Sequence, residues 1–325
     1  MGHASRGWDA RRPGGSNRVG SVALTPAEAI DTAASVFGEH PGFRALHARG
    51  VICRGSFTPT PEAASLSRAA HLAGPDVPVT MRFSNGAGNP EHPDWAPDPR
   101  GWRSSSTFRT CRGLTSWPSP RRCSPRARRR ASWSCCAPRP PGQRRRGGSP
   151  SSCATIPRTS GVLPRVAPSL APPAGYDRIP YYGLHAFRWL DGTGGSRFVR
   201  YELRPAAGVS RLTPWAARGR ARDYLQTGIL AQLASGPVVF SVRVQIADAG
   251  DPVDDPSAAW PRSRRRVIVG TLSVTGPDTE RDRGEDVLVF DPSRVTDGIE
   301  CSEDPVLAFR PRAYSESVRW RMEAR

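Results

Sequence analysis

The regular alternation of apolar and polar side chains is clearest at residues 238–246, VVFSVRVQI, where Phe240, Val242, Val244 and Ile246 alternate with other positions. A period of two predicts a half-buried antiparallel strand. Extended segments are also predicted at 77–83 (VPVTMRF), 196–203 (SRFVRYEL) and 267–275 (VIVGTLSVT). A helical period replaces this pattern at 25–37, TPAEAIDTAASVF, where Ile30, Ala33, Ala34 and Phe37 share one face. Thr25 as N-cap, Pro26 at the first position and Glu28 completing a capping box predict where that helix starts. A second helical stretch begins at Thr213-Pro214 and runs to Leu233, and the stretch from Phe290 to Tyr314 passes from loop into a final helix. Long antiparallel strands with helices at their edges predict an α+β fold, with the sheet expected to close into a barrel. There is no internal repeat and no phosphate-binding Gly loop.

The pattern breaks down between residues 102 and 160. The chain has no Lys, so all 47 basic residues are Arg, and no acidic residue lies between Asp98 and Asp177. Residues 102–160 hold 14 Arg, which leaves +4 of the formal +18 for the rest of the chain. Five of the seven Cys and three of the nine Trp fall in the same stretch. The high basicity therefore belongs to one segment, not to a general anion-binding surface. No Cys pair has CxxC spacing, which argues against a zinc site. An odd Cys count with no apolar leader segment fits a reducing cytoplasm. No run approaches the ~20 apolar residues needed to span a bilayer.

An all-Arg tract rich in Trp and Cys is what a GC-rich gene yields when read out of frame. Starting each codon one nucleotide earlier allows residues 102–110 to read MAVKFHLPD, an alternating strand ending in a turn signal. Under the same shift 132–138 can read ELELLRA, an amphipathic helical pattern, and 151–157 can read EQLRDHP. The ordinary reading resumes near Gly161. Three separate patches become foldable under one shift, which predicts a compensated double frameshift. The competing reading is a basic arm that binds nucleic acid. It lacks an aromatic stacking rhythm and any flanking RNA-binding module, so no nucleic-acid partner is expected.

Four stretches carry candidate chemistry: FRALHARG (43–50), TMRFSNGAGNPEHPDWAPDPRG (80–101), IPYYGLHAFRW (179–189) and VFDPSRVTDGIECSEDPVLAFRPRAYSESVRWR (289–321). In this order they resemble the haem catalase family, and most closely its short branch, the catalase-related peroxidases. The resemblance covers residues 25–101 and 162–325 and fails across 102–160. It implies a catalase-like antiparallel β-barrel core with flanking helices, disrupted at 102–160. It also implies a haem domain over 25–325, preceded by a disordered tail at 1–24.

The resemblance further implies haem b as cofactor. It implies reduction of hydrogen peroxide or organic hydroperoxides with an unidentified small-molecule electron donor, in oxidative stress defence. His47 matches the family's distal histidine, and a neutral imidazole can accept and return a proton near neutral pH. Ser84 matches a distal serine that bonds this histidine and fixes its tautomer. Tyr314 matches the proximal axial ligand, the Tyr that holds haem iron in catalases. Arg310, one helical turn before it, supplies a cation that favours the phenolate. Arg44, Arg82 and Arg321 match the residues that clamp the two haem propionates, a task suited to the bidentate guanidinium fork. His185 is expected to pack in the barrel without touching haem, and Cys301 is given no role. The distal amide of large catalases would fall within 102–124, and even the restored reading offers no Asn there, which favours peroxidase chemistry. The expected partners are peroxide and the donor, with no membrane and with a homo-oligomer left open. The main alternative is an inactive frameshifted product of such a gene.

Overall fold

The computed structural model describes residues 24–105, 171–279 and 288–323. The tail expected over 1–24 and all but the first residues of the 102–160 segment lie outside the described residues. Helix α1 (Pro26–Phe37) starts as its sequence predicts: the Thr25 hydroxyl accepts from the Glu28 N–H, and the Glu28 carboxylate accepts from the Thr25 N–H at 2.8 Å. Ala33 is its buried residue.

Among the described residues nine antiparallel strands form one sheet. These are β1 (Gly50–Pro59), β2 (Val77–Asn85), β3 (Arg100–Ser105), β4 (Tyr181–Tyr182), β5 (Phe187–Leu190), β6 (Ser196–Pro205), β7 (Val238–Ile246), β8 (Arg266–Pro277) and β9 (Ile299–Cys301). Their order is β3-β2-β1-β8-β7-β6-β5-β9, with β4 attached to β6. The strand predicted from alternation at 238–246 is β7, residue for residue, and its apolar set Val238, Phe240, Val242 and Val244 is buried. Among the described residues the sheet is open, as expected of a barrel disrupted at 102–160: β3 stands at one edge and β9 at the other. One expectation needs correction. The backbone continues to pair with β2 through Ser105, four residues past Gly101 and inside the stretch read as irregular.

Helices α2 (Pro61–Leu66) and α3 (Ala70–Ala73) follow β1. The single helical stretch expected from Thr213 resolves into α4 (Pro214–Arg218) and α5 (Tyr224–Ser235), because the chain turns at Gly219–Asp223. Helix α6 (Pro305–Glu323) ends the description and packs against α1. The core is aromatic where β2 crosses it. Phe83 stacks on Tyr176 at 5.7 Å and meets Phe240 at 5.9 Å, and all three are fully buried. Since alternate residues of a strand face opposite ways, Val79, Met81 and Phe83 share one face of β2. Thr80, Arg82 and Ser84 share the other, and it is buried as well.

Candidate active site

Ser84 lies on β2 between two glycines, paired with Gly50 of β1 on one side and Gly101 of β3 on the other. Neither neighbour could carry a side chain. A Cβ on Gly50 would stand 2.3 Å from the Phe83 carbonyl oxygen and 2.8 Å from the Arg82 guanidinium carbon. A Cβ on Gly101 would stand 2.6 Å from Cε1 and 2.7 Å from Nδ1 of His47. The space that Gly101 leaves open is where the imidazole lies.

His47 sits in the loop between α1 and β1 with φ of 59°, a left-handed conformation that costs a non-glycine residue about 1–2 kcal/mol. Its ring Nδ1 is 2.8 Å from the Asn85 carbonyl oxygen and 3.1 Å from Ser84 Oγ. A carbonyl can only accept, so Nδ1 carries a proton, and in the neutral ring Nε2 is the nitrogen with the lone pair. The Asn85 side chain is fully engaged too. Its amide donates to Asp94 at 2.6 Å, and its carbonyl accepts from Tyr176 at 2.8 Å. Burial pushes the Tyr176 pKa far up, so its hydroxyl remains a donor. Asp94 also accepts from the Leu225 N–H at 2.8 Å, capping α5, whose own Asp223 makes no side-chain cap. Arg82 is buried beside this group and donates to the carbonyl of Ala48, the residue after His47, at 3.2 Å. Arg44 points another way: it donates to the Leu288 carbonyl at 2.9 Å and lies over the Phe290 ring.

A second cluster is built on α6. Arg310 Nη1 donates to the Tyr314 hydroxyl at 2.8 Å, as the four-residue spacing predicts. Arg321 Nε donates to the Ser317 carbonyl at 3.2 Å on the same helix. Asp304, fully buried, caps α6 by accepting from the Val306 and Leu307 N–H groups at 2.8 and 3.2 Å. Its other oxygen is 2.5 Å from His185 Nδ1. His185 is thus buried, and its bond to Asp304 makes it a polar anchor of the helix that carries Tyr314. Burial is the main cause holding the His185 pKa below its ordinary value, the Asp304 bond opposes this, and the Arg310 charge adds to the lowering. His185 Nε2 and Arg310 Nε are both buried without a hydrogen-bond partner among the described residues.

Thus the structure brings His47, Ser84 and Arg82 together, and separately joins Arg310 to Tyr314. The sequence reading missed Asn85, Asp94, Asp98 and Asp304. Only Asp304 had a readable signal, an acidic residue directly before the Pro that opens a helix. The donor set suits a haem: a phenolic oxygen that already accepts from a guanidinium can serve as an anionic oxygen ligand, and the further arginines match two carboxylates.

A family model described as Catalase matches residues 8–117 and 161–325. The chain belongs to the catalase family. Within it the relatives point to the short branch. A catalase-related peroxidase of Mycolicibacterium paratuberculosis is 45% identical over 312 residues, covering 93% of this chain and 96% of the relative. A catalase-related peroxidase of Synechococcus elongatus is 29% identical, covering 91% and 88%. The chain is a member of the catalase-related peroxidase branch. Among solved structures, catalase A from Saccharomyces cerevisiae shares the fold with a TM-score of 0.64 at 19% identity, covering 96% of this chain and 68% of that one.

Proposed function

We propose that this chain is a cytoplasmic haem b peroxidase that reduces hydrogen peroxide or organic hydroperoxides at the expense of a small-molecule donor, in oxidative stress defence. The observation that carries the reading is His47 held through Nδ1 by the Asn85 carbonyl, which in the neutral ring makes Nε2 the basic nitrogen. Tyr314, with Arg310 donating to its oxygen, would hold the haem iron, and Arg44, Arg82 and Arg321 are the residues that the family resemblance assigns to its propionates. Haem, when bound, supplies the redox chemistry that cleaves the O–O bond, and the donor returns the two electrons. His47 Nε2 takes the proton from one peroxide oxygen and delivers it to the other, which leaves as water or alcohol. Such proton transfer contributes ~10²–10⁴ in rate. Ser84 and Asn85 keep the ring in the tautomer that this transfer needs. His185 and Asp304 fix the start of the helix that presents Tyr314. Among the described residues no helix is long and apolar enough to cross a membrane.

The test is purification with haem supplied. Soret absorbance with peroxide-dependent donor oxidation, lost in His47→Gln without loss of the Soret band, is the expected result. A Soret band with undiminished turnover in His47→Gln would overturn the assignment.

One observation favours a second reading, that this chain is a damaged product of such a gene. The family match lapses over 118–160, inside the acid-free, all-Arg stretch. Expression beside a frame-restored version separates the two. Equal Soret absorbance per chain in both would remove the claim of damage, and resequencing codons 100–165 tests the frameshift directly.

A further inference from the structure

We propose that Asp98 is a positioning residue for His47, acting through two peptide planes. Asp98 is buried, and its Oδ2 accepts from the Gly86 N–H at 2.8 Å and the Ala87 N–H at 3.1 Å. Each of those N–H groups belongs to a planar peptide unit whose carbonyl lies one residue earlier. The unit bearing the Gly86 N–H carries the Asn85 carbonyl, which accepts from His47 Nδ1 at 2.8 Å. The unit bearing the Ala87 N–H carries the Gly86 carbonyl, which accepts from the His47 backbone N–H at 3.0 Å. One carboxylate oxygen therefore reaches both the ring and the backbone of His47, each through one rigid peptide.

The arrangement does two things. It fixes the strained left-handed backbone of His47 by leaving its two carbonyl partners no freedom to turn. It also polarises both carbonyls, because a peptide whose N–H donates to an anion is a stronger acceptor at its C=O. Arg100 Nη1, 3.0 Å away, holds the Asp98 carboxylate in place from β3. The Asp98-Pro99-Arg100-Gly101 stretch thus supplies the anion, its counter-ion and the cleared space for the imidazole.

The consequence for turnover rests on His47 being the acid–base residue, but the geometry can be read without haem. The experiment uses the full chain isolated haem-free, with its six histidines labelled in the ring nitrogens, and His47→Gln to assign the His47 signals. The parent shows the neutral Nδ1–H tautomer at His47. In Asp98→Asn, which keeps an acceptor oxygen but removes the charge, the ring N–H exchanges about tenfold faster and the Nε2–H tautomer appears. Ser84→Ala leaves the Nδ1–H tautomer in place, since the Asn85 carbonyl still holds it. Unchanged tautomer and exchange in folded Asp98→Asn would overturn the proposal, as would loss of the tautomer in Ser84→Ala alone. Asp98→Ala gives a larger effect where circular dichroism shows it folded, and where it does not fold Asp98→Asn decides. If the haem reading fails, that appears separately as absent Soret absorbance and leaves the ring measurement standing.

Discussion

The two clusters proposed to flank the haem are held in different ways. His47 is fixed by backbone: the Asn85 and Gly86 carbonyls bond it, and Gly101 makes room for it. Tyr314 has a side-chain partner, Arg310, on a helix whose start is tied down by Asp304 and His185. Backbone holds a group rigidly and is hard to lose by substituting a single acceptor. Side-chain anchors are open to mutation and to pH. The contrast matches the two proposed tasks: a proton-transferring ring must be aimed, whereas a ligand oxygen must be kept electron-rich.

The largest effect should come from Tyr314→Phe, which removes the proposed ligand oxygen. Soret absorbance per chain should fall roughly tenfold or more, and a retained band would break the proximal half of the comparison. Next is Gly101→Ala. Its Cβ would overlap the imidazole, and a displacement of that order costs about a hundredfold in turnover. Haem should still bind, so normal turnover with a normal Soret band would show that the distal ring is not tightly aimed.

A smaller effect, on stability only, is expected for Asp304→Ala. It removes a helix cap and strands a buried imidazole, at a cost of about 3 kcal/mol by urea unfolding. The smallest is a pH effect confined to the proximal side. The folded His185 pKa lies below the unfolded one, so on acidification the unfolded chain takes up the proton first. Stability is therefore present above the ordinary histidine pKa and falls as the pH drops through it. His185→Asn can still donate to Asp304 but cannot titrate, so the gap in melting temperature between it and the parent should shrink in acid. A gap that stays constant from neutral to mildly acidic pH would sharpen the contrast against His185.

The sequence made the distal and proximal halves legible to different depths. Helix α1 and strand β7 were readable because caps and alternation are local signals. Arg310 and Tyr314 were readable as an i,i+4 pair, and His47 and Ser84 through motif order. An open sheet was legible from the break at 102–160, but which strands stand at its edges was not, because that depends on long-range pairing. The web of Asn85, Asp94 and Asp98 was invisible for another reason. It consists of side chains meeting backbone across a loop, and no periodicity in the residue string encodes which carboxylate will find which N–H. His185 was read as packing because a lone buried His gives no sign of its partner, here Asp304 over a hundred positions away.

The packing of α1 against α6 joins segments from opposite ends of the described chain. In order of synthesis the residues around His47 precede α6 by most of the described chain. The group around His47 can form before α6 exists, so under the proposed function capture of the prosthetic group waits for the helix that carries Tyr314. A nascent chain stalled before α6 should therefore hold much of its sheet yet remain colourless.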